Sequence, residues 1–132
     1  MPWLDGTSGS RQLYEIEALD EAVFSRVGAL IVVTGDGRFY VPRAREIISV
    51  VAAVGTAPTG ASILIDVNKN GTTIFTTQGN RPSVAASAFK VAAPAVPDVT
   101  SVAAGDLLSV DIDQVGSSVA GSDLTVIVLM AA

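Results

Sequence analysis

Along most of the chain, apolar and polar positions alternate with a period of two, the mark of strands that bury one face. The clearest case is residues 62–67, with Ile63, Ile65 and Val67 on one face and Ser62, Leu64 and Asp66 on the other. Asn68-Lys69-Asn70-Gly71 then predicts a turn and residues 72–76 a returning strand. Asn followed by Gly accepts the positive φ of a type I′ hairpin, so this is the strongest local signal. In residues 107–114, Leu108, Val110 and Ile112 alternate with Ser109, Asp111 and Asp113. Apolar runs at 27–33, 47–54 and 124–130, and weaker patterns at 38–41 and 83–91, complete the set.

Turn residues separate these runs. Thr34-Gly35-Asp36-Gly37 reads as a tight turn, and residues 55–60, 92–97 and 116–121 as Gly, Pro and small-residue connectors. About eight strands with such spacing predict an all-β fold, an antiparallel β-sandwich that is jelly-roll-like. Immunoglobulin-like connections give similar spacings, so the strand order stays open. Residues 1–26 read as an N-terminal arm and 27–132 as the sandwich domain. Within the arm, residues 1–10 are rich in Gly, Ser and Thr. Residues 11–24 fit two readings. Ser10 followed by Glu15, Ala18 and Leu19 suits a short helix, whereas Tyr14, Ile16 and Ala18 alternate with Glu15 and Glu17 as a strand does. Either way the segment is expected to pack outside the sandwich.

Composition adds subunit contacts to this picture. Of 132 residues, 49% are apolar and 5% aromatic, and the mean hydropathy is +0.51. A single small domain has difficulty hiding so much apolar surface. No apolar run approaches the roughly 20 residues that cross a bilayer, and the first residues carry no signal-peptide pattern. A membrane partner is therefore not expected. The net charge is −5 with scattered Lys and Arg, which argues against a nucleic-acid partner.

Cys and His are both absent. Thiolate chemistry, His or Cys zinc sites and the commonest general base are thereby excluded. Asp66-Val67-Asn68-Lys69-Asn70-Gly71 resembles the opening of a calcium loop, but Thr77 stands where that loop needs a bidentate Glu. A polar hairpin tip is the better reading. Asp111 and Asp113 share one strand face and read as a solvated surface rather than an acid–base pair. The chain is thus expected to be no enzyme and to need no cofactor. Four residues stand out for contact with a partner. Trp3 and Leu4 are apolar anchors in a polar arm, Tyr14 is a second aromatic there, and Arg81 sits in a loop where it can meet a carboxylate.

Several motifs together carry a resemblance. They are Gly55-Thr56-Ala57-Pro58-Thr59-Gly60-Ala61-Ser62, Asp66 to Phe75, Asn80-Arg81-Pro82, Gly105-Asp106, Asp111-Ile112-Asp113-Gln114-Val115-Gly116-Ser117 and Gly121 to Val126. In order and spacing, over roughly residues 45–130, they look like a β-domain that recurs in virion proteins of tailed phages. The domain is similar to those of tail and fibre proteins and of small head-decoration proteins of actinobacterial phages. The resemblance implies a structural role with homo-oligomeric, by preference trimeric, assembly. Its implied partners are the major capsid protein or other virion proteins. A small chain that carries the domain nearly alone suits capsid decoration, on the head surface, reinforcing contacts between capsomers. The alternative is a minor tail or receptor-binding protein that contacts a host glycan.

Overall fold

A computed structural model of the chain describes residues 19–132. The strands are β1 (Asp20–Ala29), β2 (Val33–Tyr40), β3 (Arg45–Thr56), β4 (Ile63–Lys69), β5 (Thr72–Thr73), β6 (Ser83–Val84), β7 (Ser101–Val102), β8 (Leu107–Gln114) and β9 (Ser122–Ala131). They form two sheets with orders β1-β9-β3-β7 and β2-β8-β4-β5, with β6 also on β4. All the strand pairings are antiparallel. β8 takes one edge of β4, so β5 and β6 share the other, at opposite ends of it. The nine strands therefore occupy eight positions, and the chain passes back and forth between the sheets as in a jelly roll.

The core lies between the sheets. Ile63, Ile65 and Val67 of β4 and Leu108, Val110 and Ile112 of β8 face Val50, Ala52 and Val54 of β3 and Val126, Val128 and Met130 of β9, all buried. Burial of each of these side chains other than Ala52 contributes about 1.5–3 kcal/mol. A register shift between Ile47 and Ser49 lets both Ile47 and Val50 point inward and turns Ile48 out. Asn70 and Gly71 adopt φ of 53° and 86°, and Lys69 pairs with Thr72, as a two-residue hairpin requires.

Four expectations need correction. Thr34-Gly35-Asp36-Gly37 is not the turn between strands. It lies inside β2, and the break falls at residues 30–32. Gly35 and Gly37 have φ of 69° and 73°, and the β2–β8 register shifts on both sides of Asp36. These glycines therefore make bulges, which use the same positive φ as a turn.

The arm boundary at 26/27 falls inside β1, because residues from Asp20 onward pair with β9 in the sheet. Residues 20–24 are thus part of the sandwich. The returning strand after the hairpin stops at Thr73, because Ile74 and Phe75 turn in and are fully buried. The strand expected at 83–91 is only Ser83–Val84, while the short β7 had no readable pattern.

Candidate functional site

The two lateral sides of the sandwich differ, and the difference locates the surface available to a partner. On one side the segment 85–100 runs along the edge of β3. Its backbone bonds link Val54 N to Phe89 O (2.8 Å), Val91 N to Ala52 O (3.1 Å), Val50 N to Ala95 O (2.8 Å) and Ile47 N to Thr100 O (2.7 Å). The amides of Asp98 and Val99 donate to Ile74 O, just beyond β5 of the other sheet. That side is closed.

On the other side lie the edge strands β1 and β2. Neither outer edge is paired with another strand among the described residues. Between them opens a cleft of about 190 Å³, lined by Phe24, Val110, Ile112, Leu124 and Val126 with Arg26, Asp36 and Arg38 at its rim. An ion pair bridges it, Arg26 Nη1 to Asp36 Oδ2 at 2.9 Å. Phe24 packs against Gly37, where a Cβ would lie 3.0 Å from Phe24 Cδ2. The bulge glycine therefore also makes room for this ring.

The two edges are not equivalent. β2 is bulged, and Arg38 Nη1 donates to Gly35 O (2.6 Å) and Gly37 O (2.7 Å). Bulges and a charged cover are devices that blunt an edge. β1 is regular from Asp20 to Arg26, where it pairs residue by residue with β9, and shifts register only between Arg26 and Ala29. There Asp123 Oδ1 accepts from Gly28 N at 2.8 Å. At its start Asp20 Oδ2 accepts from Arg45 Nε at 2.6 Å. The strand is thus pinned at both ends with a straight edge between.

The outer faces of the sheets also differ in chemistry. On the β1-β9-β3-β7 sheet, Val23, Ile127 and Val51 lie in one cross-strand row. Val23 is 55% exposed and Val27 is 90% exposed, and Ile31 and Val32 beyond them are exposed as well. The face of the other sheet is polar apart from the exposed pair Tyr40 and Leu107 at one end, and its carboxylates are engaged within the chain. Asp66 is buried, with Oδ1 accepting from Val67 N (2.8 Å) and Thr73 Oγ1 (2.6 Å) and Oδ2 from Gln78 Nε2 (3.3 Å). It ties down the hairpin and does not offer its oxygens outward as a calcium loop does. Asp111 Oδ1 accepts from Gly35 N at 2.7 Å.

Of the residues singled out in the sequence, Trp3, Leu4 and Tyr14 lie outside the described residues. Arg81 is half-buried. Its Nη1 donates to Asp113 Oδ2 at 2.7 Å and its Nε to Gln78 O at 2.8 Å. Its carboxylate partner is in its own chain. The exposed Val23 of β1 was missed, because the strand as far as Arg26 was read as part of an arm and a new run was read from Val27; the alternation of Ala22, Phe24 and Arg26 with Val23, Ser25 and Val27 was the available signal.

No family model matches the chain. No curated protein matches it either. Among solved structures it is similar to a chain of the cyanophage Pam1 capsid asymmetric unit, with a TM-score of 0.51 and 16% identity over 86% of this chain and 84% of that one. A likeness at that identity is a likeness of fold, and it extends over nearly the whole of both chains.

Proposed function

We propose that this chain is a structural protein of a bacteriophage virion, seated on the outside of the head. There it binds the major capsid protein and reinforces contacts between capsomers. The observation that carries the reading is the jelly-roll layout shared over 86% of the chain with a chain of a phage capsid. The apolar outer face of the β1 sheet and its straight edge support it, since a protein that works by assembly needs surface to bury. The work is mechanical, apolar and polar surface buried across a junction, with no catalytic step. The arm that precedes Leu19, with Trp3, Leu4 and Tyr14, serves as an anchor on a neighbouring subunit.

Gold-labelled antibody on intact virions tests the location. Label spread over the heads is the expected result. Label confined to the tail would move the role to host contact, and no label on any virion would end the virion reading. Removal of residues 1–12 is expected to weaken binding to the particle, and unchanged binding would remove the arm from the account.

A further inference from the structure

The edge of β1 is self-complementary. Its regular stretch, Asp20 to Arg26, has Val23 at its midpoint. Suppose a second copy adds its own β1 antiparallel to this edge, with a two-fold axis through Val23. Val23 then faces the partner's Val23, Leu19 faces the partner's Val27 and Ala22 faces the partner's Phe24. Asp20 faces the partner's Arg26, a pairing of opposite charges that occurs twice by symmetry. Exposed apolar side chains meet on the outer face, and small meets large on the inner one.

Other registers lose this match. Moving the axis to Ala22 sets Glu21 against Val23 and Asp20 against Phe24. Moving it to Phe24 sets Glu21 against Val27 and Ala22 against Arg26. At Glu21 the two glutamates face each other. A slip of odd parity puts the outer face of one copy beside the inner face of the other.

We propose that two copies of this chain pair through their β1 edges about a two-fold axis at Val23, joining two four-stranded sheets into one of eight strands. The occupant of this edge is a second copy and not an unrelated strand, because the charges and apolar residues of β1 complement β1 itself. The backbone groups left over at the edge supply the hydrogen bonds, as in other strand additions. Asp20 and Arg26 keep their own ion pairs to Arg45 and Asp36 through one oxygen and one nitrogen, so each reaches its new partner without breaking the old one. This contact is two-fold, unlike the trimeric assembly that the sequence resemblance implies.

The test uses the full chain, which has no cysteine of its own. Antiparallel strands hold opposed Cα atoms about 4.5–5.5 Å apart, within disulfide range. Under mild oxidation, Val23→Cys is expected to form a covalent dimer roughly tenfold faster than Glu21→Cys or Ser25→Cys alone. A mixture of the latter two is expected to give the mixed dimer, because Glu21 and Ser25 face each other. Sedimentation of the unmodified chain is expected to show monomer and dimer, and Val23→Glu, which opposes two like charges at the axis, to leave monomer. Val23 is more than half exposed, so thermal unfolding that matches the unmodified chain, read at a dilution and under reducing conditions where both are monomeric, certifies the fold of each variant. Equal cross-linking at the three positions, or a trimer as the assembled species, would overturn the proposal.

Discussion

The two lateral sides of this sandwich answer the same physical problem differently. A sheet must end somewhere, and its last strand exposes unpaired backbone groups. At the β3 edge the chain covers them itself, with the segment 85–100 bonded to β3 and to Ile74, just beyond β5. At the β1 edge it leaves a straight strand with exposed valines. The closed side builds the monomer. The open side leaves β1 without a further strand among the described residues, and it is the edge through which the proposed pairing runs. Substitutions on the closed side should therefore act on folding, and those on the open side on assembly.

The largest effect is expected at Phe75, which turns into the core next to the closed side and is fully buried. Phe75→Ala should cost about 3–5 kcal/mol of unfolding free energy, by lost transfer and the cavity left behind. Urea unfolding followed by circular dichroism measures it. A loss below about 1 kcal/mol, the scale of an ordinary point change, would mean that this side is not packed as described.

Asp66→Ala comes next. It removes the acceptor of Val67 N and Thr73 Oγ1 beneath the hairpin. Hydrogen bonds to a buried charged group are worth about 1.5–3 kcal/mol, so a loss of about 2–3 kcal/mol is expected in the same assay. Added calcium should leave both the wild-type and the variant midpoints unmoved, because Asp66 serves the hairpin. A calcium-dependent rise in the wild type alone would restore the cation-loop reading.

Ala95→Pro tests the seal directly. It deletes the amide that donates to Val50 O at 2.9 Å, with an expected loss of about 1–2 kcal/mol. Hydrogen exchange should then quicken at Val50 and Val54 on β3 while the β1–β9 ladder keeps its protection. Uniform quickening across both would make the two sides one cooperative unit.

Acid should loosen the closed side by the same logic. The carboxyls of Glu46 and Asp98 lie below their ordinary pKa values. Hydrogen bonds from Thr100 and Ser101 hold Glu46 down, and the Thr77 amide, first among several donors, holds Asp98 down. Asp106 is lowered by the Ala103 amide and by Asn70. A depressed folded-state pKa contributes stability that is complete above the unfolded value and lost as pH falls through the folded one. Stability is thus expected to hold near neutrality and to decline below the ordinary carboxylate range, about pH 4. Glu46 and Asp98 are exposed and Asp106 is partly so, so solvent screens them and the decline is shallow. Glu46→Gln and Asp98→Asn together should flatten it, and an unchanged acid limb in the double variant would place the titrating groups elsewhere.

How far these features were legible in the sequence follows from their range along the chain. The Asn70-Gly71 hairpin and the inward faces of β4 and β8 were readable, because a turn and a period of two are local. β2 was misread, since the φ of Gly35 and Gly37 serves a bulge as well as a turn and only the partner strand distinguishes them. The segment 85–100 was read as a weak strand to residue 91 and a connector after it, and its bonding along β3 was missed; the seal works through backbone amides and carbonyls, to which side-chain alternation is blind. Arg81 was noticed, but its partner Asp113 lies 32 residues away. β1 was obscured by helix-forming residues upstream. Its open edge follows from its place at the end of a strand order that no alternation reports.

Val27→Ser is expected to change folding least and to separate the two sides best. Val27 is 90% exposed, so the monomer loses almost no burial and its stability should stay within about 0.5 kcal/mol. In the β1-paired dimer, however, Val27 faces the partner's Leu19 twice. Each cross-strand pair is worth about 0.2–1 kcal/mol, so the dimer dissociation constant should rise about two- to thirtyfold. Sedimentation across a concentration series reads that shift, and urea unfolding of the same variant, at a dilution where the dimer has dissociated, reads the monomer. A weakened dimer with an unchanged monomer keeps the comparison intact. A monomer destabilised by more than about 1 kcal/mol, beyond the range of an exposed substitution, would mean that Val27 is covered by its own chain. The β1 edge would then be closed like the β3 edge, and the asymmetry between the two sides would disappear.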